Sequence, residues 1–301
     1  MPCLFIVSTF FVSLHQVYHQ MELYTTINSI KEALGTWRSK GFTIGFVPTM
    51  GALHDGHLSL VDKAKENCDI IVVSIFVNPT QFNDPNDLAN YPRTLESDMQ
   101  LLSTKHCDCV FYPSVGEMYP VPDHRSFDFG NLETVMEGRF RPGHFNGVAQ
   151  VVGKLFEIVE PDQAFFGQKD FQQLAIVKEL VRQMKYRVEI VPCEIIREAD
   201  GLAMSSRNRL LLPQYRECAP LIYRTLIEAG RLIHIQTVDQ VKEYVTNQIN
   251  SSDLLKVEYF EIVDERYLLP IESWGTKVGK VGCIAVFAGK IRLIDNIVFD
   301  I

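Results

Sequence analysis

The chain has 301 residues, 47% of them hydrophobic, which is enough for one large domain or two of moderate size. Its formal net charge of −8 argues against a nucleic-acid partner, since such proteins usually present a basic surface. The seven cysteines are odd in number and scattered, which favours reduced thiols and a cytoplasmic location.

Residues 1–20 contain two apolar runs and neither lysine nor arginine. The segment is too short to cross a bilayer, and it lacks the basic start and the small-residue cleavage site of a signal peptide. Met21 begins a stretch that suits the start of a cytosolic enzyme. We therefore expect residues 1–20 to be an extension or an upstream start, and we expect no membrane partner.

The first two thirds of the chain alternate between helical and strand-like patterns. Such alternation predicts a parallel α/β sheet, in which ligands bind beyond the carboxyl ends of the strands. In chain order the predicted elements are helix Thr26–Lys40, strand Thr43–Val47, helix His57–Asn67, strand Asp69–Val77, helix Thr94–Lys105, strand Asp108–Tyr112, a loop over Pro113–Ser126, helix Asn146–Val159, strand Gln163–Phe166, helix Asp170–Met184 and strand Val188–Cys193.

The pattern changes after about Ile195. Helices without intervening strands, followed by strands, are typical of a small α+β unit. The predicted organisation is an extension over 1–20, a Rossmann-like domain over 21–195 and a smaller α+β domain over 196–301. The elements predicted in this last domain are helices Gln214–His234 and Asp239–Ser251 and strands Val257–Val263, Cys283–Phe287 and Ile291–Val298.

The stretch Thr43–Leu60 carries the sharpest functional signal. A strand passes through Gly51 and Gly56 into a helix start, where unpaired N–H groups attract phosphate. His54 and His57 are three residues apart, so both can face one ligand. The pattern indicates a nucleotide site, and the alternative is an ordinary turn with two surface histidines.

Two familiar nucleotide motifs do not fit this stretch. Gly51 and Gly56 have the spacing of a P-loop, but His57-Leu58 replaces the required Lys-Ser/Thr. The strand is not followed by G-x-G-x-x-G, so the dinucleotide fingerprint is absent from the sequence.

Polar residues also follow two other predicted strands. Lys169 could neutralise phosphate charge, and Asp170 could accept from ribose hydroxyls or could simply cap a helix. The amides of Asn78, Gln81 and Gln173 could bind a carboxylate and a hydroxyl, or could be structural.

Two further polar stretches could bind an anion or could be surface loops without a ligand. Met204–Arg207 offers two hydroxyls and a guanidinium, which suit phosphate oxygens but also a solvated loop. Arg139–Phe145 is a dense basic stretch before a helix, which would suit either an anion site or a mobile surface loop.

The string PTMGALHDGH resembles the pantoate–β-alanine ligase family of the HxGH nucleotidyltransferase superfamily. The strings FVNPTQF, YPRTLESD, RPGHFNGV, FGQKDFQQ and MSSRN follow in family order, and the resemblance runs from about Met21 to Ile301. It implies ATP-dependent condensation of pantoate with β-alanine to pantothenate, through a pantoyl adenylate, with release of pyrophosphate and AMP. It also implies a homodimer.

The resemblance implies roles for individual residues. His57, His54 and Lys169 are expected to be catalytic. Gln81 and Gln173 are expected to hold pantoate, with Gln81 also near β-alanine. Asp98 is expected to be the Mg²⁺ ligand, while Ser97 stands where some relatives carry a carboxylate. The expected ATP-binding residues are Met50, Gly51, Ala52, Leu53, His54, Asp55, Gly56, His57, Gly167, Gln168, Lys169, Asp170, Ile196, Met204, Ser205, Ser206 and Arg207.

Two other functions compete with this one. A different HxGH nucleotidyltransferase would stop at a nucleotide product, and the amides Gln81 and Gln173 count against it. A non-catalytic nucleotide sensor would be expected to have lost part of the set His54, His57, Lys169 and Arg207, which is intact.

Overall fold

Six parallel strands form the larger sheet of the computed structural model, which describes residues 21–299. The predicted extension over residues 1–20 lies outside the described residues. The strands are β1 (Glu22–Tyr24), β2 (Ile44–Thr49), β3 (Ile70–Ile75), β4 (Cys109–Phe111), β5 (Gln163–Gly167) and β6 (Glu189–Cys193), in the order β1-β4-β3-β2-β5-β6. The central strands β2 and β3 are almost wholly buried, as apolar runs between two helical layers should be.

Helices cover both faces of this sheet. The helices are α1 (Ile27–Ser39), α2 (Asp55–Asn67), α3 (Pro85–Asn90), α4 (Leu95–Thr104), α5 (Val115–Met118), α6 (Met136–Phe140), α7 (His144–Val159) and α8 (Phe171–Met184). One face packs against α1, α7 and α8 through a core that includes Leu34, Phe156 and Leu180, and the other packs against α2 and α4 through Val61 and Leu102.

The C-terminal part builds a second, antiparallel sheet. Its strands are β7 (Leu255–Asp264), β8 (Lys280–Ala288) and β9 (Ile291–Phe299), in that order. Three helices, α9 (Pro213–Cys218), α10 (Leu221–Leu232) and α11 (Val238–Asn250), pack with it around a separate apolar core. The predicted fold class, a Rossmann-like parallel sheet followed by a smaller α+β unit, is confirmed.

Several details differ from the sequence-based expectations, among them the short helices α3 and α6, which were not predicted. Strand β1 was not predicted, because three residues are too short for a recognisable pattern. The expected loop Pro113–Ser126 contains α5, whose first turn is capped by the Ser114 hydroxyl accepting from the N–H of Glu117. The expected helix Gln214–His234 is two helices, since Pro220 lacks the N–H that would continue the first. Helix α2 begins at Asp55, two residues before the expected His57.

The two parts meet in a small apolar cluster and an ion-pair network. Met136 packs with Val263 and Leu268, and Arg292 of β9 forms a bidentate pair with Glu137 of α6 at 2.7 Å. We propose that the domain boundary lies near residue 195, since β6 ends at Cys193 and the second core contains only later residues. No helix within residues 21–299 is long and apolar enough to cross a membrane.

Candidate active site

The main cleft opens between β2 and β5, where the strand order reverses. From β2 the chain proceeds to β3 and β4 on one side, and only then to β5 and β6 on the other, which makes this the switch point where open parallel sheets bind ligands. The cleft has a volume of about 220 Å³. The expected site residues that line it are Met50, His54, Gly56, His57, Gln81, Gly167, Lys169, Asp170, Gln173, Ile196, Met204, Ser205, Ser206 and Arg207.

His54 and His57 face the cleft together from the start of α2. His54 is the N-cap residue, His57 lies in the first turn, and their ring centroids are 4.1 Å apart. The Nδ1 atoms of both rings are buried and have no hydrogen-bond partner within the described part of the chain. Because an unpaired buried polar atom is costly, these two atoms point to a polar ligand that would complete them.

Both imidazoles are neutral at pH 7. Burial lowers the pKa of His54 to about 4, and the nearby cations Lys169 and Arg209 act in the same direction. Burial also holds the pKa of His57 well below its usual value, with His54 and Lys169 adding to the effect. An anionic ligand between these groups would favour their protonated forms, so the site can answer phosphate charge with additional positive charge.

Two glycines shape the turn that presents the histidines. Gly51 has a φ of +80°, which a side chain would strain. A Cβ at Gly56 would lie 2.9 Å from Cε1 of His54, closer than real side chains pack. Gly56 therefore lets the His54 ring lie against the start of α2.

Asp98 braces this turn from behind. Its buried carboxylate accepts hydrogen bonds from the backbone N–H groups of Ala52 at 2.9 Å and Leu53 at 2.8 Å, and from the Thr94 hydroxyl at 3.1 Å. It does not line the main cleft. These contacts give Asp98 a bracing role, and its expected Mg²⁺ ligation remains a prediction. Within residues 21–299 no group of three or more His, Cys, Asp or Glu side chains could hold a metal ion.

Lys169 enters the cleft from a short 3₁₀ turn, Gln168–Asp170, between β5 and α8. Its Nζ lies 3.7 Å from the partly exposed carboxylate of Asp170, a weak pair that leaves the ammonium available to an anion. Asp170 makes no side-chain cap to α8, so the capping alternative is not what the structure shows. Gln173 lines the cleft one turn further on.

The Met204–Arg207 stretch belongs to the second domain and reaches the turn between β2 and α2 in the first domain. The Ser206 hydroxyl donates to the carbonyl of Ala52 at 3.0 Å, and Arg209 donates to the carbonyl of Leu53 at 3.1 Å. The Arg207 guanidinium pairs with Asp87 at 2.9 Å at the rim of the cleft. The stretch is therefore a wall of the cleft and not a free surface loop.

Gln81 is held from both its backbone and its side chain. Its carbonyl lies 2.8 Å from Nδ1 of the buried His144, and its amide donates to the Met50 sulfur at 3.0 Å. Asn78, almost fully buried, donates to the Gln81 side chain and to the carbonyl of Gly147. Asn78 is thus a support for Gln81. In the basic stretch, Arg141, His144 and Phe145 border a small cavity behind the cleft, whereas the other four residues are exposed.

Several residues of the site were not expected from the sequence. The α7 stripe predicted a buried helix face, but periodicity does not distinguish a face that meets the core from one that borders a ligand. Arg209 follows the Met204–Arg207 stretch by two residues, and nothing in its spacing marks it as a cation close to the histidines. The unexpected lining residues are Pro48, Thr49, Leu60, Phe76, Tyr91, Val148, Val151, Val152, Leu155, Phe165, Phe166, Glu194 and Ile195.

Some expected ATP-binding residues lie beside the cleft and do not line it. Gly51, Ala52 and Leu53 are buried behind the histidines, and Asp55 is exposed on α2. Gln168 contributes its carbonyl to a contact with the second domain. Their expected role in ATP binding remains a prediction.

A larger cavity of about 570 Å³ lies beside β1, β3 and β4. It shares Met50 and Phe76 with the main cleft. None of its lining side chains is among the buried polar atoms that lack a partner within residues 21–299, whereas the main cleft holds two such atoms. The main cleft is therefore the better candidate for the active site.

Comparisons with known proteins show to which family the chain is similar. The family model described as pantoate-beta-alanine ligase matches residues 22–298. A pantothenate synthetase of Porphyromonas gingivalis is 52% identical over 280 residues, covering 93% of this chain and 100% of that protein. A crystal structure of pantothenate synthetase from Thermus thermophilus is 40% identical, with a TM-score of 0.86 over 92% of this chain and 99% of that one.

A third relative carries ligands. The crystal structure of pantoate-beta-alanine ligase from Francisella tularensis, complexed with beta-gamma ATP and beta-alanine, is 37% identical with a TM-score of 0.79. It covers 93% of this chain and 98% of that one. By its sequence over nearly its whole described length, and by its fold, the chain belongs to the pantoate-beta-alanine ligase family.

Proposed function

We propose that the chain condenses pantoate with β-alanine at the expense of ATP, forming pantothenate, AMP and pyrophosphate through a pantoyl adenylate. The observation that carries the proposal is the convergence of two unpaired imidazoles, the ammonium of Lys169 and the amides of Gln81 and Gln173 in one cleft. Membership of the pantoate-beta-alanine ligase family supports it.

In the first step a carboxylate oxygen of pantoate attacks the α-phosphorus of ATP. A new O–P bond forms, the bond to the bridging oxygen breaks, and pyrophosphate leaves. Charge accumulates on phosphate oxygens, and we propose that His54, His57 and Lys169, which line the cleft, neutralise it. The substrate supplies the nucleophile, so the protein needs to position groups and neutralise charge, and needs no nucleophile of its own.

In the second step the amine of β-alanine attacks the acyl carbonyl of the adenylate. The C–N bond forms, the C–O bond to phosphate breaks, and AMP leaves with one former pantoate oxygen. The proton lost by the amine passes to solvent or to the leaving phosphate. Gln81 lines the cleft, and its amide is proposed to bind both pantoate and β-alanine. The Francisella tularensis relative, complexed with beta-gamma ATP and beta-alanine, supports the binding of β-alanine.

ATP is proposed to lie along the wall formed by α2, the Lys169 turn and the Met204–Arg207 stretch. The backbone of Ile196 is proposed to contact the adenosine, and Ser205, Ser206 and Arg207 the phosphates. Arg207 would have to exchange Asp87 for phosphate, which its half-exposed ion pair at the rim permits.

Mg²⁺ is proposed to enter with the triphosphate. Asp98 remains the proposed ligand from the protein, and in this structure its carboxylate accepts hydrogen bonds from the N–H groups of Ala52 and Leu53. Mg²⁺ commonly retains waters and binds substrate phosphates, so few ligands from the protein are needed. We further propose a cytoplasmic homodimer without nucleic-acid or membrane partners, on the basis of the family and the net charge.

Product analysis with ATP, Mg²⁺, [¹⁸O]carboxyl-labelled pantoate and β-alanine tests the function. We expect pantothenate, pyrophosphate and AMP that carries one ¹⁸O atom. Without β-alanine, a single turnover should release pyrophosphate and leave the adenylate. Pyrophosphate release without any amide product would indicate a nucleotidyltransferase with another acceptor. ATP binding without pantoate-dependent cleavage would indicate a nucleotide sensor.

A further inference from the structure

Two neighbouring residues of the last strand reach the back of the main cleft without lining it. Asp295 and Asn296 of β9 are 4% and 5% exposed. They border a small cavity behind the cleft, next to Lys169. The family resemblance assigns neither of them a role, and both belong to the second domain, while Lys169 belongs to the first.

Asn296 holds the turn that carries Lys169. Its side-chain amide donates to the carbonyl of Gln168 at 2.8 Å and to the carbonyl of Lys169 at 3.0 Å. A 3₁₀ turn of three residues makes few hydrogen bonds of its own, and the Asn296 amide adds two that tie this turn to the second domain. A side-chain NH₂ group can supply two donors at once, which a hydroxyl or a carboxylate cannot.

Asp295 holds the opposite wall. Its carboxylate accepts two hydrogen bonds from Arg197, at 2.6 and 2.9 Å, and a third from the backbone N–H of Asn296 at 2.8 Å. The Arg197 guanidinium also lies 3.6 Å over the ring centre of Tyr223. The pair is nearly buried, so its geometry is well defined.

Arg197 in turn fixes the segment that is proposed to contact adenosine. It directly follows Ile196 and forms a bridge with Ala203, and the N–H of Met204 donates to the carbonyl of Ile196 at 3.0 Å. Asp295 therefore acts on Ile196 and Met204, just as Asn296 acts on Lys169. Asp295 and Asn296 are consecutive in β9, so both walls of the cleft are attached to the same strand.

We propose that Asp295 and Asn296 form a positioning pair that sets the Lys169 turn and the Ile196–Met204 segment at the separation that ATP requires. Asn296 orients Lys169 toward the phosphates, and Asp295, through Arg197, orients the nucleoside wall. The inference rests on the proposed function, since it assigns ATP to this cleft. Because misplacement of a catalytic group by about 1 Å can cost about 100-fold in rate, loss of either contact should be measurable.

Variants of Asn296 and Asp295 are expected to change different kinetic constants. We expect Asn296→Ala to lower the kcat of pantoate-dependent pyrophosphate release by about 10- to 100-fold, because Lys169 acts in the step that develops phosphate charge. We expect Asp295→Asn to raise the KM for ATP by about 10-fold with a smaller effect on kcat, because it loosens the nucleoside wall. The KM for β-alanine should stay within about twofold in both variants, since their contacts lie on the nucleotide side.

The matched control is Asn250→Ala, which removes another asparagine contact to the backbone, with the N–H of Val257, in the same domain and far from the cleft. It should leave all kinetic constants unchanged. Asn296→Ser keeps one of the two donors and should give an intermediate kcat, and it serves as the test if Asn296→Ala does not fold. Thermal unfolding of each variant sets the temperature for the assays, which are run where every protein is folded.

Titration calorimetry with a non-hydrolysable ATP analogue separates this inference from the proposed function. Weaker binding to Asp295→Asn supports the pair even if the wild-type protein fails to make pantothenate. Unchanged kinetics and unchanged analogue affinity in folded Asn296→Ser and Asp295→Asn would show that the two residues only stabilise the fold, and would overturn the proposal.

Discussion

At the scale of single residues, the cleft keeps two imidazoles uncharged beside two cations. His54 and His57 have lowered pKa values because they are buried and because Lys169 and Arg209 lie nearby. A site that is already fully charged would gain little from a further positive group, whereas neutral imidazoles can take up protons as phosphate enters. The positive charge of the cleft can therefore increase when an anionic ligand binds.

His57 is the residue whose loss should affect the chemistry most directly. We expect His57→Ala to lower turnover by roughly 10²–10³-fold, as loss of one preorganised donor usually does. The measurement is the single-turnover rate of pantoate-dependent pyrophosphate release. His124→Ala, at an exposed position, is the control and should retain the wild-type rate. A His57→Ala protein that forms pantothenate at a near-normal rate would contradict the role.

Stability should depend on pH through the buried histidines. The pKa values of His54 and His144 are lowered by burial to about 4, so the unfolded chain binds more protons than the folded one between pH 4 and about 6.5. The free energy of unfolding should therefore be highest above pH 6.5 and fall as the solution is acidified toward pH 4.

Urea unfolding at pH 7, 6 and 5 measures this dependence. Carboxyl groups contribute to the same profile, so the informative quantity is the difference between the wild-type protein and His54→Gln. The variant should lose less stability between pH 7 and 5 than the wild type does. Parallel profiles for the two proteins would mean that His54 is not held neutral by the fold.

At the scale of elements, close packing of α7 against the turn after β3 places Gln81. A Cβ at Gly147 would lie 2.5 Å from the backbone carbonyl oxygen of Thr80, in the 3₁₀ turn Pro79–Gln81. Backbone atoms cannot rotate away as a side chain can. Gly147 is therefore required for the close approach of α7 to this turn. The position of the turn determines the position of the Gln81 amide.

Two Gly→Ala substitutions in helices should have opposite effects. Gly147→Ala forces α7 from the turn and should cost about 1–3 kcal/mol of stability and lower the affinity for pantoate. Gly35→Ala, at an exposed position of α1 with open space around the new methyl group, should stabilise the protein by about 0.5–1 kcal/mol. Denaturant unfolding of both variants provides the comparison. Equal effects would show that packing at Gly147 does not matter.

The helices and strands differ in how well they could be predicted from the sequence. Long periodic or apolar stretches, such as α7 and β3, were predicted nearly to their ends, because burial imposes a pattern on them. The three-residue strand β1 and the short helix α5 were missed, since they are defined by neighbours and a cap and not by periodicity. The histidine turn was recognisable because glycines, imidazoles and a strand end coincide within a few residues.

What sequence could not provide were contacts between distant segments. Asp98 braces a turn 45 residues earlier, and no local pattern distinguishes such a carboxylate from a metal ligand. Asn296 lies 127 residues from the Lys169 carbonyl that it holds, and it looks like any polar residue of a strand. These pairings depend on how the two sheets dock.

At the scale of the whole molecule, that docking relies on a buried ion-pair network. Arg292 of β9 pairs with Glu137 of α6 and with Glu258 of β7, and the Tyr259 hydroxyl donates to Glu137 at 2.7 Å. All three charged side chains are less than 20% exposed. Removing one member therefore leaves charges without their partner in a poorly solvated place.

A double-mutant cycle measures the coupling between the two domains. We expect Arg292→Met to lower the free energy of unfolding by about 3–5 kcal/mol, because it strands two carboxylates. The double variant Arg292→Met with Glu137→Gln should be less destabilised than the sum of the two single variants. Additive effects would mean that the pair does not couple the domains.

The brace that Asn296 gives to Lys169 also has a consequence for the way the protein is made. Synthesis proceeds at about 5–20 residues per second, so the 127 residues between them take on the order of ten seconds. During that interval a nascent chain already contains both histidines and the lysine, but its last strand is missing. We expect such chains to be idle, so that ATP is not spent by unfinished copies on the ribosome.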